Sequence, residues 1–405
     1  MFMNFGTLKR EQHATPLVRD GRMSPIKYQR GHYLFSRCRR RYKTFLRLLK
    51  SKAHNCKPIQ GESDLLSMRK LLTFGFLTIC PVVFAGNAPL LLNQIQVIGT
   101  HNSYHLRPSD VMLETAASVT NEAASMNYSH DPLDVQLDNG VRSFELDIQP
   151  FADGFHVFHV PILDDGSTCP IFRDCLATVW AWSQKHPDHV PVSFLLEFKL
   201  VESLIAGKEL MHADVTMLEM LEQEILSVIP RERLLTPDSV RGNFPTLSAA
   251  VRERGWPSVD KSRGKMYFIL HDDEQLRAAY TEKTPSLEGR VMFVDSSPDR
   301  PDGAFAVLDN PFSKDIPEYL EEGMIIRVRA DAGLGQGIRG DTSKRDAAFA
   351  SGAHIISTDF PRGHSNTKTG YSVEFSGGAE ARNNPVNCPA GSTQPAAGVL
   401  IATGK

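Results

Sequence analysis

The chain has 405 residues and 41% hydrophobic content, enough to bury a full core and too apolar for global disorder. Its net charge of −2 hides an asymmetry: residues 1–67 carry 15 Lys/Arg against 4 Asp/Glu, and residues 86–405 carry 28 against 43. The basic segment could be a nucleic-acid or membrane arm, but the residues after it point elsewhere, and no nucleic-acid partner is expected.

Met68-Arg69-Lys70 is followed by the apolar run Leu71–Phe84 and by Val83-Phe84-Ala85 before Gly86. A charged start, an apolar stretch and a small-residue cleavage site read as a signal peptide over 68–85. The run is short for a membrane span, which needs roughly 20 residues. The expectation is that Met68 opens the native chain, with residues 1–67 a basic extension outside it. A genuine extension with a short anchor is the alternative. Export to a secreted or periplasmic location follows. Cysteine usage agrees: Cys169 and Cys175 can close a small disulfide loop, leaving Cys388 over. No CxxC or Cys/His zinc spacing appears.

From Gln94 onward, β-rich runs alternate with helical ones. Strands are predicted at Gln94–Thr100, Val141–Gln149, Phe155–Val160, Val190–Lys199, Lys265–His271, Arg290–Asp295, Gly323–Ala330 and Ala353–Asp359. Helices are predicted at Phe172–Lys185, Glu209–Val228, Asp273–Thr281 and Thr342–Ser351, and a tight turn at Asp153-Gly154 joins the second and third strands. Thr281–Pro311 reads as loop-rich, and the tail 381–405 as a loosely packed end or a strap tied by Cys388. Strands with helical crossovers predict an α/β, TIM-like (β/α)8 barrel, with an open doubly wound sheet as the alternative.

The candidate chemical residues favour the barrel, because they gather at strand ends. His101 follows the first strand; Glu145 and Asp147 close the second, His159 the third, Glu197 and Lys199 the fourth, Arg329 and Asp331 the seventh, and Asp359 the eighth. Barrel enzymes collect their active-site groups at that face. Asn102, Glu145, Asp147 and Glu197 offer one amide oxygen and three carboxylates, hard ligands suited to Ca²⁺, with Mg²⁺ the alternative. The plainer account pairs each carboxylate with an arginine such as Arg142. His101 and His159 can exchange protons near neutral pH. His156 and His159 face opposite ways in a strand, and His159, at the strand's end, is taken for the site. His105 is expected to support the site, and His130, His186 and His354 to be structural. Lys199 and Arg329 could hold a phosphate, or could simply pair with Glu197 and Asp331. Gly333-Leu-Gly335-Gln-Gly337 is discounted as a phosphate loop because no helical run directly follows it.

Thr100-His101-Asn102-Ser103-Tyr104, Phe144-Glu145-Leu146-Asp147, His159 and Leu195-Leu196-Glu197-Phe198-Lys199 resemble the catalytic domain of phosphoinositide-specific phospholipase C, in particular its secreted, calcium-dependent bacterial branch. Arg327-Val-Arg329-Ala-Asp331-Ala and Ser357-Thr358-Asp359-Phe360-Pro361 resemble it too, so that the likeness spans about residues 94–365. The resemblance implies a distorted barrel of the phospholipase C-like phosphodiesterase type over 86–380. It implies an enzyme that cleaves phosphatidylinositol-type lipids with the substrate's own 2-hydroxyl, giving diacylglycerol and a cyclic inositol phosphate or its hydrolysed form. Asn102, Glu145, Asp147 and Glu197 would hold Ca²⁺. Glu145 or a histidine would take the hydroxyl proton, His101 would stabilise developing charge, and His159 would protonate the leaving oxygen. Lys199, Arg329, Asp331 and Asp359 would bind ring hydroxyls or phosphate. No EF-hand loop appears, and too little chain follows the barrel for a C2-like sandwich. Transient contact of a monomer with a membrane surface would therefore fall to the barrel rim, and Thr281–Pro311 would shape the headgroup pocket. Glycerophosphodiester phosphodiesterases and sphingomyelinase-D-like enzymes share the Glu-x-Asp and later His, but His-Asn-Ser-Tyr sets this chain apart from the former's His-Arg-Gly. A non-catalytic headgroup-binding barrel is the remaining alternative.

Overall fold

The computed structural model describes residues 89–199, 209–271 and 274–388. The basic segment 1–67, the signal peptide expected over 68–85 and residues 389–405 of the tail lie outside the described residues.

Eight parallel strands form the frame: β1 (Ile95–Thr100), β2 (Val141–Phe151), β4 (Val192–Phe198), β5 (Met266–Leu270), β6 (Met292–Val294), β7 (Phe305–Asp309), β8 (Ile325–Arg329) and β9 (Ile355–Thr358). They pair in the order β6-β5-β4-β2-β1-β9-β8-β7. A parallel bridge between Asp295 and Phe305 joins the two ends, giving a nearly closed α/β barrel. Most of these strands are buried along their whole length, which is why they read as continuous apolar runs rather than alternating ones.

The expected count of eight holds, but its membership changes. Phe155–Val160 is not a barrel strand: β3 (Gly154–Val157) folds back antiparallel on β2 through the turn at Ala152-Asp153. The missing member is β7, inside the stretch read as loop. Val307 and Leu308 are half-exposed, and Pro298 through Gly303 supply turn residues just upstream, so neither apolar periodicity nor length marks it. The described part of the tail is not loose either. Ala381–Asn383 forms β10, antiparallel to the first half of β1, where β2 is not yet alongside.

Helices cover the outside. Phe172–Lys185 matches its predicted span. The helix expected from Glu209 starts at Val215, because the Asp214 carboxylate caps it by accepting from the Thr216 and Met217 amides at 2.8 and 3.1 Å. Successive strand residues point to opposite faces. Phe144, Phe194 and Phe268 are buried in the main apolar cluster, the last two stacked 4.8 Å apart. Glu145, one residue on from Phe144, takes the opposite face. At Gly99 a β-carbon would lie 2.9 Å from that of Ser143, so only glycine lets β1 approach β2 closely here.

Candidate active site

The first motif is a turn knitted onto its neighbours. Asn102 has φ 44°, a left-handed conformation that asparagine tolerates. The Ser103 amide donates to the Glu145 carbonyl at 2.9 Å, and the Ser103 hydroxyl accepts the Glu145 amide at 2.9 Å. Thr100 donates to that hydroxyl at 2.7 Å, and the His101 amide reaches the Thr358 carbonyl on β9 at 3.2 Å. His101 is therefore fixed between β1, β2 and β9.

Its ring Nδ1 lies 2.8 Å from Asp359 Oδ1. The other Asp359 oxygen accepts from Arg329 at 3.0 Å. Burial disfavours charge on Asp359, but His101 and Arg329 outweigh it and hold the carboxyl far below its ordinary range. Asp331 sits behind, fully buried. It accepts the Thr358 hydroxyl at 2.6 Å, the Asp359 amide at 2.8 Å and the Tyr371 hydroxyl at 3.1 Å. Asp331 thus braces the Asp359 loop and is not on the cavity wall, contrary to the substrate-binding expectation.

The second histidine is held from a loop. The Val160 and Asp164 amides and carbonyls exchange hydrogen bonds at 2.9 Å, closing the turn after His159 and placing the Asp164 carboxylate under its ring. His159 Nδ1 lies 2.7 Å from Asp164 Oδ2, and Asp164 Oδ1 lies 2.7 Å from His105 Nε2. Burial works against charge on His159, but the hydrogen bond to Asp164 and the field of Asp147 prevail and raise its pKa. His156 instead faces Asp153 at 3.0 Å. Cys169 and Cys175 form a disulfide with Cα atoms 5.2 Å apart, in the segment entering the helix Phe172–Lys185.

Both histidines open on one cavity of about 470 Å³, whose wall includes Asn102, Tyr128, Arg329 and Asp359. The connection after β1 supplies another side through Glu122, Ser125 and Met126. Arg329 Nε is buried and has no hydrogen-bond partner among the described residues.

Beside the histidines, oxygens of Glu145, Asp147 and Glu197 lie within 4.8 Å of one another. Neither oxygen of the fully buried Asp147 receives a hydrogen bond among the described residues. Burial pushes its carboxyl up to about 6 despite the nearby Lys199 charge. A divalent cation fits such a group, since it would engage the unsatisfied oxygens and relieve the crowding of like charge.

Several expected pairings change. Arg142 binds Glu380, with Nε 2.9 Å from its Oε2, and not the strand-end carboxylates. Glu145 pairs with Arg327, which reaches across from β8 and also contacts Asp309. Burial alone would raise the Glu145 carboxyl, but Arg327 and His101 bring it to about 2. Lys199 pairs with Glu197 and stands 3.4 Å from Asp147, the ion-pair alternative, and it is not on the cavity wall.

Sequence reasoning passed over Arg327 as a partner of Glu145, Asp164 as the carboxylate under His159, and His271. His271 directly follows β5, lies 3.5 Å from Asp295, and has its pKa raised, against burial, by Asp295, Glu145 and Glu197. Its place at the end of a predicted strand was the available signal.

A parallel barrel that carries two carboxylate-paired histidines, a buried arginine and an oxygen-ligand cluster at one mouth is built for metal-assisted chemistry on a phosphodiester. A family comparison agrees. A sequence model described as "Phosphoinositide phospholipase C, Ca2+-dependent" matches residues 90–154 and 149–385. The chain belongs to this calcium-dependent phosphoinositide phospholipase C family, and with it is a phosphoric diester hydrolase. No curated protein matches. Among solved structures, a calcium-dependent phosphoinositol-specific phospholipase C from a Pseudomonas species is similar at 16% identity and TM-score 0.48, covering 73% of this chain and 96% of that one. A Ca²⁺-dependent phosphatidylinositol-specific phospholipase C from Streptomyces antibioticus gives 17% identity, TM-score 0.47 and coverage of 67% and 95%. The phosphatidylinositol-specific enzyme from Listeria monocytogenes gives 14%, 0.41, 68% and 92%.

Proposed function

We propose that the protein cleaves the glycerol–phosphate bond of phosphatidylinositol-type lipids by attack of the inositol 2-hydroxyl, releasing diacylglycerol and a cyclic inositol phosphate. The observation that carries this reading is the matched pair of histidines. Each has Nδ1 engaged by a buried carboxylate, and both rings border one cavity. With Nδ1 donating to Asp359, His101 keeps Nε2 free to accept a proton, so it takes the 2-hydroxyl proton in place of Glu145. As that hydroxyl oxygen bonds to phosphorus, the phosphorus–glycerol bond breaks, and His159, kept protonated by Asp164, gives its proton to the leaving oxygen. The Arg329 guanidinium, part of the cavity wall, can offer N–H groups to a phosphate oxygen.

Glu145, Asp147, Glu197 and the amide oxygen of Asn102 would hold Ca²⁺, which when bound lowers the pKa of a coordinated hydroxyl and offsets phosphate charge. Membrane contact falls to the exposed apolar residues Val111, Ile162, Phe312 and Ile338, on connections around the mouth. We further propose export through the segment 68–85 and action as a monomer. A mature N-terminus near Gly86, found by sequencing the natural product, is the expected mark of export.

The deciding experiment follows phosphatidylinositol hydrolysis by ³¹P NMR with Ca²⁺, with Mg²⁺ and with a chelator. A calcium-dependent cyclic phosphate is expected. Turnover of choline lipids or glycerophosphodiesters, with none of phosphatidylinositol, overturns the reading.

A further inference from the structure

We infer that the end of the barrel away from the histidines carries a second binding site, a cleft that holds a neutral sugar. Its role is to tether the protein to a glycan, and it takes no part in cleavage.

The helix Phe172–Lys185 runs out just before Pro187, on the way into β4. Pro230 opens the short turn Arg231–Arg233, which leads to a bridge between Leu234 and Met266 at the start of β5. Both are strand entries, whereas His101, Glu197 and Asp359 lie at strand exits. Between them is a cleft of about 410 Å³, close in size to the catalytic cavity and within the range of small-ligand sites. Its lining includes Trp180, Gln184, Pro187, Pro230, Glu232 and Arg233. Trp180 is half-buried: it packs against the main apolar cluster and still lines the cleft. Its indole N–H has no hydrogen-bond partner among the described residues. Trp182, two residues on, instead donates to Asp138 at 2.7 Å and stacks on His186.

The side chains of Gln184, Glu232 and Arg233 are exposed and likewise have no partner among the described residues. Other surface arginines pair locally, Arg241 with Asp238 and Arg263 with Asp260. Arg233 lies beside Gly264, its Nη1 3.4 Å from where a β-carbon would stand. A sugar ring has an apolar face of C–H bonds and a rim of hydroxyls. The indole face suits the first. An amide, a carboxylate and a guanidinium fork supply donors and acceptors for the second. Glu232 offsets the charge of Arg233, so a neutral ligand fits better than an anion. One carboxylate is too few to hold a dication. A purely apolar guest would bury these polar groups unpaired. Because the cleft lies at the strand entries, a glycan held there leaves the mouth of the barrel free.

The test titrates the whole protein with methyl mannoside, methyl glucoside, cellobiose and N-acetylglucosamine, following the indole N–H signals of the three tryptophans by NMR. The signal lost in Trp180→Phe is that of Trp180. In the parent it should move and saturate with at least one sugar, at a dissociation constant of roughly 1 mM or tighter. Arg233→Ala and Gln184→Ala alter exposed, unpaired side chains and should keep the fold. Each should weaken binding by roughly threefold to tenfold. No movement of the Trp180 signal with any of these sugars up to roughly 50 mM overturns the inference. So does movement with a proline-rich peptide alone, sugar binding seen only at the barrel mouth, or binding that both variants leave undiminished. The readout needs no turnover, so a failure to cleave phosphatidylinositol would count against the proposed activity and leave this test intact.

Discussion

The two histidine assemblies at the barrel mouth look alike and are built differently. His101 leans on Asp359, whose other oxygen holds Arg329. His159 leans on Asp164, whose other oxygen holds His105. The first set joins the ends of β1, β8 and β9, three neighbouring barrel strands. The second hangs on the loop after β3, outside the barrel. The third member differs too, being an arginine in one set and a histidine in the other. A permanent guanidinium offsets Asp359 at any working pH, which suits a group that must accept a proton. At the second assembly the Asp164 carboxylate on His159 Nδ1 raises that ring's pKa, which suits a group that must arrive protonated.

The most forceful way to break this comparison is to remove each ring. His101→Ala and His159→Ala should each lower kcat by roughly 10²–10⁴. A substrate with a good leaving group, such as a nitrophenyl ester of inositol phosphate, should separate them. It needs no proton at the leaving oxygen, so it should restore most of the rate of His159→Ala and little of that of His101→Ala. Equal rescue of both would erase the assignment of base and acid.

The next largest effect lies in the acidic cluster, where the buried Asp147 feels the charge of Lys199 and, more weakly, that of His159. Asp147→Asn keeps the size of the side chain and removes one charged ligand. Calorimetry should show calcium affinity reduced by roughly tenfold or more, while the barrel's circular dichroism stays the same. Undiminished affinity would place the ion elsewhere.

Much of this could be read in the chain, and the exceptions share a cause. Glu145, Asp147 and Glu197 were visible because a carboxylate ending an apolar run has few reasons to be there. The frame was visible because buried parallel strands are continuous apolar runs. What escaped depends on pairings that one segment cannot announce. Glu145 finds its arginine 182 positions away, on a strand three removed in sheet order. Asp164 matters only because a backbone pair with Val160 folds it under His159, and nothing in the periodicity of that loop shows it. β7 escaped because it is short, half-exposed at one end and preceded by turn residues.

The smallest effect sharpens the comparison through stability. His130 lies under the first assembly, its Nε2 3.0 Å from the His101 carbonyl. Burial brings its pKa down from 6.5 to about 4, and His189 and His354 are lowered to the same level. The unfolded chain therefore takes up these protons before the folded one does. Their stabilising effect is complete above about 6.5 and drains away as pH falls toward 4. His159 runs the other way: its pKa is raised, so its contribution is present at low pH and lost as pH rises through the folded value. Thermal melting between pH 7 and 4.5 should show falling Tm, and His130→Gln, which keeps the donor to His101 but cannot titrate, should flatten that slope. Asp164→Asn should leave the slope in this window nearly unchanged or make it steeper, because it removes the opposing contribution of His159. A His130→Gln slope identical to the parent's would mean that His130 takes up its proton without opposing the fold, and that the base is not seated on a dry, neutral support.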